Sequence, residues 1–177
     1  MPATTFSFHM ESIATPIGDM LVVADEQNRL RALGWADLQA RLDRTLAVLY
    51  GDLQLRTQPV ACSIRNALLA YLEGKLDAID AIAVETGGTA FQRSVWQQLR
   101  RIPVGTTMSY GDFAARIGRP KAVRAVGHAN GSNPICVVVP CHRLIGADGS
   151  LTGYGGGLPR KRWLLDHEAA AQGRPIC

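Results

Sequence analysis

Apolar residues occupy every second position from Phe6 through Phe8 to Met10, the period of a strand with one buried face. Thr15-Pro16-Ile17-Gly18 sets proline and glycine where a turn needs them. Met20–Ala24 and Leu30–Trp35 read as two more strands, joined by the polar stretch Asp25–Asn28. Leu38, Leu42, Leu46 and Leu49 then recur at helical spacing, and Ile64, Leu68 and Leu72 do so again before Gly74. Strands followed by helices predict a small α+β unit. Ala78 to Gly88 keeps no period and ends on Thr86-Gly87-Gly88, so it reads as a linker with a flexible end.

Beyond it, Thr89-x-x-Gln92 is a capping box opening a helix whose apolar face is Phe91, Val95, Leu99 and Ile102, with Trp96 alongside. Phe91 and Trp96 are read as core, and Pro103 stops the helix. Ser109 caps a short helix from Tyr110 to about Ile117. Gly118-Arg119-Pro120 makes the turn, and Pro120 starts a second helix reaching about Asn130, which together predict a helix-turn-helix. Pro134 to Val139 reads as a buried strand that delivers Pro140, Cys141, His142 and Arg143 at its end. Leu144 to Leu151 predicts a hairpin around Asp148-Gly149, in the place of a wing. Gly153-Tyr154-Gly155-Gly156-Gly157 lacks phosphate-loop spacing and suits either a connector or a close backbone approach to a ligand. Pro159 opens the last helix, with Trp163, Leu164 and Leu165 inward and Glu168 on it, and 169–177 read as a frayed tail.

Charge sharpens this picture. Residues 1–85 carry seven Lys/Arg against eleven Asp/Glu, a balance of −4, whereas 86–177 carry twelve against four, a balance of +8. That asymmetry points to a polyanion as partner of the second half, the plain alternative being a solvated basic surface. The helix Lys121 to Ala129 lacks the row of Asn, Gln and Arg that reads bases in the major groove. Val123 and Val126 are read as core-facing, and the rest is mostly Ala and Gly, with Arg124 standing out. A helix is about 10–12 Å across and the minor groove about 6 Å wide. A trimmed face therefore suits either close approach to a widened minor groove or tight helix packing.

The four cysteines are Cys62, Cys136, Cys141 and Cys177, with no zinc-ligand spacing among them, and no metal is expected. Cys141 precedes an imidazole and a guanidinium that can favour a thiolate, although a cysteine in apolar surroundings is as readily an inert small hydrophobe. No apolar run is long enough to span a membrane and no signal-peptide pattern is present, so the expected setting is the reducing cytoplasm.

Pro140-Cys141-His142-Arg143 after a Val-rich run resembles the active-site signature of the O6-alkylguanine-DNA alkyltransferases, the methylated-DNA–protein-cysteine methyltransferases. The resemblance extends over Gly88–Gln92, Ile102–Gly105, Ser109-Tyr110, Arg119–Gly127, Asn133-Pro134, Gly153-Tyr154 and Trp163–Glu168, dense over residues 87–168 and general before them. It implies a ribonuclease-H-like α/β domain over 1–85 and a winged helix-turn-helix-like domain over 86–177, together an α+β protein. It implies direct repair of DNA, with one alkyl group moving irreversibly from O6-alkylguanine, and from O4-methylthymine, to Cys141. His142 would act on the sulfur through a water, Glu168 would orient the imidazole, Asn133 would hold the turn, and Tyr110 would assist the leaving guanine. The Lys121–Gly127 helix would enter the minor groove of double-stranded DNA without reading sequence, through Lys121, Ala122, Ala125 and Gly127. Arg124 would fill the gap left by the flipped base, Tyr110 would press on the backbone, and Val139, Pro140, Tyr154 and Gly155 would line the base pocket. The implied protein is a monomer with no cofactor and no membrane partner.

His128 departs from the family pattern, in which a small residue is usual, and leaves two readings open: contact with a phosphate, or a change in which lesions fit. Two other classes compete. A lesion-binding protein without transfer chemistry would have no need of Cys141, and a Cys–His hydrolase would give no reason for the helix-turn-helix.

Overall fold

The computed structural model describes residues 5–173. Four strands form its main sheet, in the order β3-β2-β1-β4. They are β1 (Phe6–Ile13), β2 (Met20–Asp25), β3 (Leu30–Trp35) and β4 (Leu53–Thr57). β1–β2 and β2–β3 are antiparallel, and β4 lies parallel to β1 on the edge. β2 is buried at all six positions, as a central strand covered on both faces must be. Its Leu21 and Val23 meet Leu42, Leu46 and Tyr50 of α1 (Gln39–Tyr50), while Met20, Val22 and Ala24 face the opposite core. That second core takes in Ile64, Leu68 and Tyr71 of α2 (Cys62–Leu72) and continues into Val95, Trp96, Phe113, Val126 and Leu164.

The strand and helix periods of the first half predict β1–β3, α1 and α2, but not β4. Its alternation is short and only Leu53 and Leu55 are even half-buried, a weak signal. The expected linker is pinned rather than loose. Val84 bridges to Leu30, and the backbone N–H of Gly87 donates to the Tyr50 hydroxyl at 3.1 Å.

In the second half α3 (Ala90–Leu99) opens on the predicted capping box, with both reciprocal bonds of Thr89 and Gln92 present. Its Trp96 Nε1 donates to the Ala129 carbonyl at 2.8 Å, fastening α3 to α5 (Val123–Gly131). Before α5 come the two-residue β5 (Met108–Ser109) and α4 (Tyr110–Arg116), whose cap is the Ser109 hydroxyl. α4 ends in a Schellman motif: the N–H of Arg119 bonds Ala114 O, the N–H of Gly118 bonds Ala115 O, and Gly118 adopts φ +72°. Pro120 lies in the turn and not at the start of α5, and Val123 is 38% exposed, not core-facing as its spacing suggested.

Two expected elements are absent. Residues 134–139 form no strand; only Ile135 finds a ladder partner, Leu33, and the chain then coils through Val137 at φ +70°. Leu144–Ile145 (β6) does not fold back on Leu151 as a hairpin wing but pairs parallel with β5, Met108 opposite Leu144. The Asp148-Gly149 turn survives, closed by the Gly146 N–H on Ser150 O at 2.8 Å. α6 (Leu158–Ala171) takes in the first part of the expected tail, and Cys177 lies outside the described residues. Of Trp163, Leu164 and Leu165 only Leu164 is fully buried; the inward face of α6 is Lys161, Leu164 and Glu168. Among the described residues no helix is long and apolar enough to cross a membrane.

Candidate active site

Cys141 opens a single 3-10 turn, Cys141–Arg143, and is 3% exposed. What sets its position is the coil that replaces the expected strand. Asn133 spans that coil: its Nδ2 donates to Val139 O at 2.8 Å and to Ile135 O at 3.3 Å, and its Oδ1 accepts from the Ile135 N–H at 3.0 Å. The Cys141 N–H turns back to Val139 O at 2.8 Å. Val137, β-branched and at positive φ, is a strained residue that these bonds hold in place. From α5, Asn130 Nδ2 donates to Cys141 O at 3.4 Å and to the Tyr110 hydroxyl at 3.3 Å, joining the sulfur-bearing turn to the helical hairpin.

His142 is fully buried and places Nε2 2.8 Å from Glu168 Oε1. Glu168 gathers more than this. Tyr71 donates its hydroxyl at 2.7 Å, Arg143 reaches both oxygens through Nε and Nη2 at 2.8–3.3 Å, and the Gly105 N–H donates at 3.1 Å. Burial would raise the Glu168 carboxyl, but His142 and Arg143 outweigh it and hold the group well below the usual carboxylate range. His142 is pushed below its ordinary value by burial, against the pull of Glu168. An ionised carboxylate facing Nε2 fixes the tautomer: Nε2 carries the proton and donates, leaving the lone pair on Nδ1. That Nδ1 is buried without a protein partner among the described residues.

The Cys141 thiol has a neighbour of its own kind. A hydrogen bond with the buried Cys136 thiol and burial itself raise Cys141 well above the ordinary thiol range. Resting Cys141 is therefore a protonated thiol that requires a base. Tyr154 is raised above the phenol range by burial, with the two thiols adding to it. Lys161, wholly buried, spans the Leu144 and Thr152 carbonyls at 2.6 and 2.7 Å and so shapes the loop over the site.

Beside the thiol turn lies a pocket of about 390 Å³, lined by Tyr110, Gly127, Asn130, Thr152, Tyr154 and Gly155 among others. Tyr110, Tyr154 and Gly155 thus meet at one mouth. Val139 and Pro140 are buried within the turn and do not line this mouth. Gly156 serves packing: a Cβ there would stand 2.4 Å from Trp35 Nε1. Lys121, Arg124 and Ala125 are exposed at and before the start of α5, with Ala122 and Gly127 half-buried beside them. Tyr71, Asn130 and Lys161 were not singled out from sequence, because their roles depend on contacts across the fold. Arg143 was read as a charge beside the thiol, and the structure places its guanidinium on Glu168 instead.

The class is suggested by what meets here: a buried cysteine at the head of a turn that also carries an imidazole–carboxylate pair, joined to a basic helical hairpin. Residues 90–170 match the family described as 6-O-methylguanine DNA methyltransferase, DNA binding domain. The chain is 52% identical over 162 residues to the methylated-DNA–protein-cysteine methyltransferase of Salmonella typhimurium, covering 89% of this chain and 94% of that one. It is 56% identical over 103 residues to the Mycobacterium tuberculosis protein of that name, covering 58% and 62% of the two chains. The crystal structure of Mycobacterium tuberculosis O6-methylguanine methyltransferase superposes with a TM-score of 0.77 at 40% identity, over 93% of this chain and 94% of that chain. A structure of the mycobacterial protein in complex with DNA matches with the same TM-score, 0.77, over 92% and 94%. The chain belongs to the methylated-DNA–protein-cysteine methyltransferase family.

Proposed function

We propose that this protein repairs DNA by direct reversal, taking the alkyl group from guanine O6 onto Cys141. The observation that carries the reading is the Glu168–His142 pair at 2.8 Å, which leaves Nδ1 as the free base on the residue that follows the protonated Cys141 thiol. His142 Nδ1 takes the Cys141 proton through a water, and the thiolate attacks the alkyl carbon. The carbon–O6 bond breaks and its electron pair stays on the guanine, which regains a proton with help from the Tyr110 hydroxyl. Atoms and charge balance without a cofactor. The product is a thioether, which nothing in the mechanism hydrolyses, so each molecule acts once.

The lesion reaches the pocket by flipping out of the duplex. α5 lies in the minor groove, with Ala122, Ala125 and Gly127 allowing close approach, Lys121 near the backbone and Arg124 in the vacated stack. The +8 balance of residues 86–177 supports this placement. We read 1–85, with helices on both faces of the β3-β2-β1-β4 sheet, as a ribonuclease-H-like unit. Residues 86–177 we read as a winged helix-turn-helix-like unit with the turn at 146–150 in the wing's place. Cys62, Cys136 and Cys141 are free thiols, which suits a reducing cytoplasm. The test is Cys141→Ser: methyl transfer from a lesion duplex should vanish while duplex affinity stays within about twofold, well under the 1.4 kcal/mol of a tenfold change. Transfer that persists in this variant would refute the assignment.

A further inference from the structure

A second feature of α5 is not used by this chemistry. Its exposed residues Arg124, His128 and Gly131 succeed one another at helical spacing, so one stripe runs from the start of the helix toward α1. The stripe ends in a groove of about 580 Å³ between α1, the start of α3 and the end of α5. Arg41, Arg44, Thr45, Val48, Gln92 and His128 are among the residues that line it, and among the described residues no carboxylate does. The half of the chain that supplies α1 is acidic, at −4, yet α1 brings two guanidiniums here. Arg41 Nη2 donates to Gly131 O at 2.6 Å and Gln92 Nε2 to Ser132 Oγ at 3.1 Å, so bonds from both sides fix the end of α5 in the groove. The side chains of Arg44 and His128 make no hydrogen bond or ion pair within the protein among the described residues.

We propose that this groove is a phosphate subsite for the same DNA duplex, built by Arg44 and His128 across the α1–α5 boundary. The proposal rests on α5 being the DNA helix. A guanidinium and an imidazole N–H that line one groove without protein acceptors suit the oxygens of a backbone phosphate. The subsite continues the stripe that begins at Arg124, so a duplex seated on α5 passes over it. It also decides between the two readings of His128. His128 lines this groove and not the pocket beside Tyr154, so it acts on the backbone and not on the choice of lesion.

The experiment measures duplex affinity against salt for the wild type, Arg44→Ala, Arg44→Glu and His128→Ala, with the reaction rate toward free O6-benzylguanine as the control for fold and pocket. Removing one phosphate contact should make the slope of log K against log salt shallower by about 0.9. Affinity should fall about three- to tenfold for Arg44→Ala and further for Arg44→Glu, with O6-benzylguanine reactivity unchanged. Unchanged affinity and slope in all three variants would overturn the subsite. So would a parallel loss of O6-benzylguanine reactivity, which would mark a structural role, or a change in sedimentation, which would mark a contact between copies. Methyl transfer from lesion DNA by the wild type tests the repair reading separately: if it proceeds while the variants bind normally, only the subsite fails.

Discussion

Glu168 is the residue on which the site closes. It collects donors from three places in the chain, Tyr71, Gly105 and the His142–Arg143 pair, and so couples the Cys141 turn to α2. Little of this could be read in advance. Cys141, His142 and Glu168 stood out through their motifs, whereas Tyr71 lies 97 residues from its partner in a plain amphipathic helix. The consequence is a specific acid sensitivity. His142, depressed by burial, takes up a proton in the unfolded chain first, so stability falls as pH drops below its ordinary 6.5. Glu168, held down by His142 and Arg143 against burial, adds a second loss as pH drops below its ordinary 4.5 toward its folded value. Thermal unfolding followed across this range should show a plateau above the first value and a decline that steepens below the second. Glu168→Gln should cost about 3 kcal/mol at neutral pH, the price of buried partners left without their charge, and the gap to wild type should narrow in acid. A wild-type profile flat from 6.5 to 4.5 would contradict a buried neutral His142.

The α4–α5 hairpin shows where local sequence suffices and where it does not. The Thr89–Gln92 box, the Ser109 cap and Gly118 each work through their neighbours, and each was legible. The run Pro134–Val139 misled because β-branched residues signal burial as well as strands. Here Asn133 offers the backbone its own partners, and the chain coils instead of joining a ladder. Within α5, Gly127 and Arg124 can be tested apart from folding. A Cβ at Gly127 would meet no atom within 4 Å, so Gly127→Ala should leave Tm unchanged or higher. The bulkier Gly127→Leu should weaken duplex binding about tenfold, or 1.4 kcal/mol, by blocking the minor groove; equal affinity would remove α5 from that groove. Arg124→Ala should slow repair of duplex lesions by about ten- to a thousandfold, at 1.4 kcal/mol per factor of ten, while sparing free O6-benzylguanine. Parallel losses would place Arg124 in the pocket or the fold instead.

The two halves carry opposite charge, −4 and +8, and this division was plain from composition. Their joining was not: the apolar core passes from the sheet into α3–α6, and Tyr71, Arg41 and Tyr50 bond across the boundary. These contacts link residues dozens of positions apart, and no local pattern encodes them. Binding led by the basic half should be salt-dependent and blind to sequence. Affinity for undamaged duplex should drop about a thousandfold or more between about 50 and 200 mM salt, and a preference above about a thousandfold for one undamaged sequence would contradict this. The central claim, that Cys141 keeps what it removes, is tested by intact mass and peptide mapping after titration with a duplex bearing O6-methylguanine. The account predicts one methyl per protein, on Cys141, with repair ending when lesions equal protein. Repair of lesions in excess of protein, or methyl found on Cys62 or Cys136 with Cys141 unmodified, would contradict it.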